Sequence, residues 1–358
     1  MIPIAEPRLG EREHTRVRAV LESGQLADGP EVRAFEREFA EYCTTDHAVA
    51  TANGTAALHA ALEGLGVGEG DRVLTTPFTF VATANAIRLV DAEPVFADID
   101  PVTYNLDPEA TRRVAREQDV DAIVLVHLYG LPAKVEAFEE LAEDVDVPLI
   151  EDAAQAHGAT VDGQPVGSFG DAACFSFYPT KNLTTGEGGM VVTDRADVAE
   201  RVERFVDHGR TEGYRHASVG HNFRMTSLAA AIGRVQLERL PDFLTRRREN
   251  AARLSEGLAD TPLRTPVEPS GLEHAYHQYT VRTADRDGLL DHLGDHGIGA
   301  AVYYPRCVHE QPAYADVDHV APVAERLSEE VLSLPVHPGV TPEETARITE
   351  VTREYVAA

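Results

Sequence analysis

The sequence predicts an α/β fold: a large domain built on a mostly parallel mixed sheet flanked by helices, followed by a small C-terminal α/β domain. From residue 46 to about 194, short β-branched runs alternate with helical patterns, the order expected of βα units. Most of those runs are apolar throughout, as strands buried on both faces must be. A chain of 358 residues is long enough for a large core and a second, smaller domain.

Taken in order, a helix over 11–24 is expected to pack on the small domain. Strands follow at 47–51 (HAVAT), 72–76, 94–99, 122–128, 148–153, 173–177 and 189–193. Between them, TAALHAALEGLG over 55–66 closes on a glycine and PEATRRVAREQ over 108–118 opens after Asp107, both helix signals. The pattern SLAAAIGRVQLERL runs as a helix from Thr226 to Pro241, and a charged stretch then leads to a Pro-rich loop near 262–271. The domain boundary falls in the 240–255 region, giving a large domain over 1–245 and a small one over 246–358. The small domain should hold a strand at 276–282, a helix at 287–297, a strand at 298–304 and a C-terminal helix PEETARITEVTREYV. No fixed-period repeat or low-complexity tract interrupts this order.

The formal net charge of -28 opposes binding to nucleic acid or an anionic membrane. The N-terminus carries charge early, and nowhere do about 18 apolar residues run uninterrupted, so a soluble cytoplasmic protein is expected. Cys43, Cys174 and Cys307 lie far apart, with neither a Cys-x-x-Cys pair nor zinc-type Cys/His spacing, and read as reduced core thiols with no metal site. Lysine occurs only at 134 and 181, with arginine supplying every other cationic side chain except histidine. Each of those two lysines therefore calls for an explanation.

Three strand-end loops carry chemistry. Thr51-Ala52-Asn53-Gly54-Thr55-Ala56 joins a strand to a helix start, where free amides and the helix dipole can hold phosphate; an ordinary Asn-Gly turn is the competing reading. Glu151 and Asp152 end an apolar strand at the edge where open α/β sheets hold ligands. Asp152 either keeps a pyridine nitrogen protonated or caps the next helix. Lys181 follows Phe175-Ser176-Phe177-Tyr178 and precedes Gly186-Glu187-Gly188-Gly189. Sheltered there, it can shed its proton and form a Schiff base with an aldehyde.

The segments GTAALHAAL, TTPFTFVATANA, IEDAAQAHGA, FSFYPTKNLTTGEGG, GHNFRM and YPRCVHEQPAY, in this order nearly end to end, resemble the DegT-type sugar-nucleotide aminotransferases. The resemblance implies a pyridoxal 5′-phosphate (PLP)-dependent enzyme of fold type I, a homodimer with shared active sites. Its reaction would move an amino group from an amino acid, L-glutamate by resemblance, to a nucleotide-linked 3-keto or 4-keto hexose. Carried over residue by residue, Lys181 matches the cofactor anchor and proton shuttle, and Asp152 the pyridinium partner. Gln155 matches the residue beside the ring and its phenolic oxygen, Phe80 the stacking aromatic, and Gly54, Thr55, Ala56 and Ser176 the phosphate cradle. Asn222 matches the asparagine contributed by the neighbouring subunit; Arg224 either grips the donor carboxylate or forms a structural ion pair. Tyr178, Tyr304, His309 and Gln311 match positions near sugar or nucleotide, or else serve packing. Where many relatives read His-Tyr-Pro, this chain reads Tyr303-Tyr304-Pro305, which puts the sugar contacts of that loop in doubt. His127 reads as a strand-end residue.

Three rivals stand against this reading. A PLP- or pyridoxamine-phosphate-dependent sugar dehydratase of the same family carries histidine in place of the anchoring lysine, and Lys181 opposes it. A non-catalytic PLP-binding regulator would not need Lys181, Asp152 and the Gly54 loop together. A nicotinamide dehydrogenase needs Gly-x-Gly-x-x-Gly opening its first βα turn, whereas Gly66-Val67-Gly68-Glu69-Gly70 ends a helix and precedes a strand.

Overall fold

The structure is a computed structural model, and it describes residues 1–317 and 319–357. Helices α1 (Glu11–Ser23) and α2 (Pro30–Cys43) precede the first strand. The βα region then runs β1 (His47–Thr51), α3 (Gly54–Leu65), β2 (Arg72–Thr75), α4 (Ala82–Leu89), β3 (Glu93–Phe96), α5 (Pro108–Gln118), β4 (Ala122–Val126), α6 (Val135–Val145) and β5 (Leu149–Asp152). Short strands β6 (Thr160–Val161) and β7 (Gln164–Pro165) lead to β8 (Ala172–Ser176), β9 (Gly189–Thr193), α7 (Ala196–Val206) and the long α8 (Ser227–Leu258). The remainder comprises β10 (Leu272–Glu273), β11 (Tyr279–Arg282), α9 (Arg286–Asp295), α10 (Pro322–Glu330), β12 (Val331–Leu334) and α11 (Pro342–Val356).

The central sheet has the order β1-β9-β8-β5-β4-β2-β3, with only β9 running against its neighbours. Alternation of side chains sends successive residues to opposite faces. Cys174 and Val191 pack under α3 and α7, while Ala173, Phe175, Met190 and Val192 pack under α2 and α8. Both faces are therefore covered, which is why the strands read as apolar throughout. The six parallel strands end on one edge, and that edge positions the site.

Three sequence expectations change. Helix α8 does not stop at Pro241 but carries it inside and continues to Leu258. Its stretch up to Leu244 gives Leu237, Leu240 and Leu244 to the sheet core, and the stretch beyond gives Ala251, Leu254 and Leu258 to the C-terminal core. Buried contacts on both halves outweigh the backbone hydrogen bond that proline removes. Helix α1 packs on the first half of α8, through Glu13 to Gln236 and Arg239, instead of on the C-terminal core. The chain before it makes that contact: Ile2 bridges Ile298 and is buried with the C-terminal hydrophobics. Residues 298–304 form no strand; single bridges at Ile298 and Ala301 replace it, and β11 pairs with β12.

Candidate active site

The parallel edge opens on a cavity of about 910 Å³ lined by the ends of β5 and β8, the start of α3, the β2–α4 loop and residues 277–278 and 303–304. At the β1–α3 turn, Asn53 caps the helix, its side chain accepting from Ala56 N–H at 2.9 Å. That leaves the Gly54 and Thr55 amides without a backbone or side-chain acceptor among the described residues, facing the cavity beside Ser176. A Cβ on Gly54 would stand 2.7 Å from the Ser176 Cβ, so only glycine lets the helix start come this close to the end of β8. The Ala56 amide belongs to the cap, although Ala56 itself lines the cavity.

The two acids of β5 separate by strand alternation. Glu151 turns into the protein, accepting from Gly167 N–H, Phe169 N–H and the His127 ring at 2.9–3.0 Å. His127 Nδ1 accepts from Ala133 N–H at 3.0 Å, so its Nε2–H points at Glu151 and the ring serves the strand end. Asp152 faces the cavity while only 5% exposed. Burial raises its pKa, opposed chiefly by the Thr83 hydroxyl at 2.8 Å, then by the Ala154 amide and the charge of Lys181. Sequence reasoning missed Thr83. Its only signal was Thr79 four residues earlier, whose hydroxyl lies 3.1 Å from that of Thr83.

Lys181 sits in a loop folded back on its own strand, with Phe177 N–H bonded to Gly188 O and Lys181 N–H to Tyr178 O. Gly186, at φ 87°, supplies the left-handed turn this return needs. Burial lowers the Lys181 pKa to about 8, with the Asp152 charge pulling the other way. Burial, and then the charge of Lys181, drive the neighbouring His277 well below its usual range, so the cavity wall there is a neutral imidazole.

Phe80 is 55% exposed at the mouth, and its ring centroid lies 6.0 Å from that of Tyr304. Gln155 is committed on both ends, donating to the Tyr304 hydroxyl at 2.9 Å and accepting from Tyr129 N–H at 2.7 Å. Tyr178 and Tyr304 line the cavity; His309 and Gln311 do not. A short 3₁₀ turn points His309 at Glu325, 3.1 Å away, and against Phe96, while Gln311 closes that turn through its backbone. Asn222 and Arg224 also lie off the cavity of their own chain: Arg224 pairs with Asp207 at 3.0 Å and donates to the Asn222 side chain.

These residues fit PLP. The free amides and Ser176 suit a phosphate, the buried acid a pyridine nitrogen, Phe80 a ring face, and Lys181 an aldehyde carbon.

Comparison with known proteins agrees with that fit. The model of the DegT/DnrJ/EryC1/StrS aminotransferase family matches residues 7–353. A protein of Geobacillus stearothermophilus named as a pleiotropic regulatory protein is 40% identical, covering 94% of this chain and 92% of the relative. A UDP-N-acetyl-3-dehydro-α-D-glucosamine 3-aminotransferase of Acidithiobacillus ferrooxidans is 40% identical over 95% of this chain and 92% of its own. Among solved structures, DesV of S. venezuelae in complex with a ketimine intermediate superposes with a TM-score of 0.94 at 38% identity, covering 97% of this chain and 94% of that one.

Proposed function

This chain belongs to the DegT/DnrJ/EryC1/StrS aminotransferase family, and from that premise we propose that it transfers an amino group from an amino-acid donor to a keto carbon of a nucleotide-linked sugar. The observation that carries this reading is the meeting of Lys181, Asp152 and the Gly54 turn in one cavity, three groups that sequence separates by some 130 residues. When bound, PLP supplies the aldehyde that takes up the amine and a ring that delocalises the electron pair released at the substrate carbon. The Gly54 and Thr55 amides and the Ser176 hydroxyl hold the phosphate. Asp152 keeps the proton on the pyridine nitrogen. Lys181 Nζ anchors the cofactor and then carries the proton between the two carbons that exchange it. Phe80 and Tyr304 wall the ring side of the cavity, Tyr304 being held in place by Gln155.

The donor carboxylate and the nucleotide diphosphate both need cations, yet Lys181 is the only lysine or arginine among the described residues lining this cavity. A second copy supplying its Asn222–Arg224 loop answers that need, so the working unit in this reading is a homodimer with shared sites, acting in the cytoplasm. The regulator reading has no observation of its own in this cavity, whereas a Lys181 lowered to about 8 and coupled to the buried Asp152 suits proton transfer as well as anchoring. The test is incubation of PLP-loaded protein with L-glutamate and a panel of nucleotide-linked 3-keto and 4-keto sugars. Stoichiometric 2-oxoglutarate and amino sugar are expected, and both should vanish in Lys181→Ala. Absence of amino sugar with every member of the panel, despite turnover of glutamate, would overturn the sugar assignment.

A further inference from the structure

A second cluster lies outside the cavity, where α9 meets α11. His292 and His296 stand one turn apart on α9 and its C-cap, so they share a face. Glu354 reaches the same place from α11, and one ligand atom from each of the three residues lies within 4.8 Å of the others. Two further observations point to a ligand. The Nε2 of His292 is buried without a hydrogen-bond partner among the described residues. The Nδ1 of His296 lies 2.8 Å from the His292 carbonyl, which can only accept, so Nδ1 carries the proton and Nε2 keeps its lone pair free. A ring nitrogen bonded to a backbone carbonyl, with the other left open, is how protein matrices prepare a histidine for metal. The rings already stand 4.3 Å apart between centroids.

We propose that His292, His296 and Glu354 form a zinc-type site that staples α9 to α11, distinct from the active cavity. Two imidazoles and a carboxylate select a borderline divalent ion over calcium or magnesium, which take all-oxygen shells. A tetrahedral ion places its ligands about 3.3 Å apart, given bonds near 2.0 Å. The exposed side chains of His296 and Glu354 close the difference by rotation, with water as the fourth ligand. None of the three lines the active cavity, so the ion takes no part in transamination.

The test uses PLP-loaded, chelator-washed protein titrated with Zn²⁺ by calorimetry, in excess Mg²⁺ to occupy the acidic surface, with melting followed in parallel. One ion per chain and a raised melting temperature are expected. His296→Gln should abolish that site, and Glu354→Gln should weaken it by at least the roughly 10- to 100-fold that loss of an outer-shell partner costs. Both substitutions are on exposed side chains and should leave folding and transamination at parental levels. No stoichiometric binding, or binding unchanged in His296→Gln, overturns the site. Binding lost in His296→Gln but unchanged in Glu354→Gln overturns the three-ligand assignment.

Discussion

Replacing Thr83 with valine tests whether the buried acid is held ionised by design. Thr83 donates to Asp152 Oδ2 at 2.8 Å and receives from Thr79 at 3.1 Å, while among the described residues the other carboxylate oxygen has only the Ala154 amide at 3.2 Å. Valine matches threonine in shape, so the change removes a hydroxyl and leaves little cavity. A hydrogen bond to a charged group contributes about 1.5–3 kcal/mol. At about 1.4 kcal/mol per factor of ten, its loss shifts the balance between ionised and protonated Asp152 by roughly 10- to 100-fold toward the neutral acid. A neutral acid cannot hold the pyridine proton by charge, so kcat and PLP affinity should both fall. Both should recover as pH rises, because higher pH restores the carboxylate. Thr83→Ser keeps the hydroxyl and should behave as the parent. The assay is PLP affinity by fluorescence titration together with kcat across a pH series. Parental affinity and a parental pH profile in Thr83→Val would refute the reasoning; a uniform loss without pH recovery would reduce Thr83 to packing.

Two more outcomes follow from buried titrating groups. Burial lowers Lys181 to about 8 while Asp152 pulls it up, so the rate at which the apo-protein captures PLP should rise with pH around that value, and Asp152→Asn should move the midpoint lower. A midpoint at the ordinary lysine value of 10.5 in both proteins would reject the sheltered amine. Burial pushes Glu36 up to about 7 against the opposing pull of Arg33 at 2.8 Å and the Ala50 amide. The folded chain thus favours its neutral form, so that stabilising contribution is complete below 4.5 and is lost as pH rises through about 7. Relative to the parent, Glu36→Gln should gain on the order of 3 kcal/mol between those limits in denaturant melts; parallel stability curves would exclude it.

Much of the fold was legible because burial on both faces writes itself into composition. Each strand from β1 to β9 in the central sheet coincides with an apolar run, and Gly66 and Asp107 mark helix ends as their backbone chemistry requires. What failed was non-local. Pro241 reads as a stop, yet α8 passes through it because cores on both sides hold the helix. The run IGAAVYY has strand composition, but β12 takes the place beside β11, leaving residues 298–304 only isolated bridges.

The same division runs through the site. Lys181, Asp152 and Gly54 were readable because each is set by a local pattern, the end of a strand or the start of a helix, and one sheet edge then gathers them. Thr83 was silent since a threonine in a first helical turn has many ordinary uses, and only the fold brings it to Asp152. His309, read as either a sugar contact or packing, is the converse case: it is sequence neighbour to the Tyr304 loop, but one short turn hands it to Glu325. The residues proposed to hold the cofactor thus stand at strand termini and a helix start, whose chemistry sequence can display. Tyr303, Tyr304, His277 and Gln278 also line the cavity, but they reach it only through the docking of the C-terminal segment, which no local pattern displays. In the proposed reading, substitutions that exchange one keto sugar for another are to be sought at Tyr303 and Gln278, since Tyr304 is tied to Gln155 on the ring side and His277 neighbours Lys181.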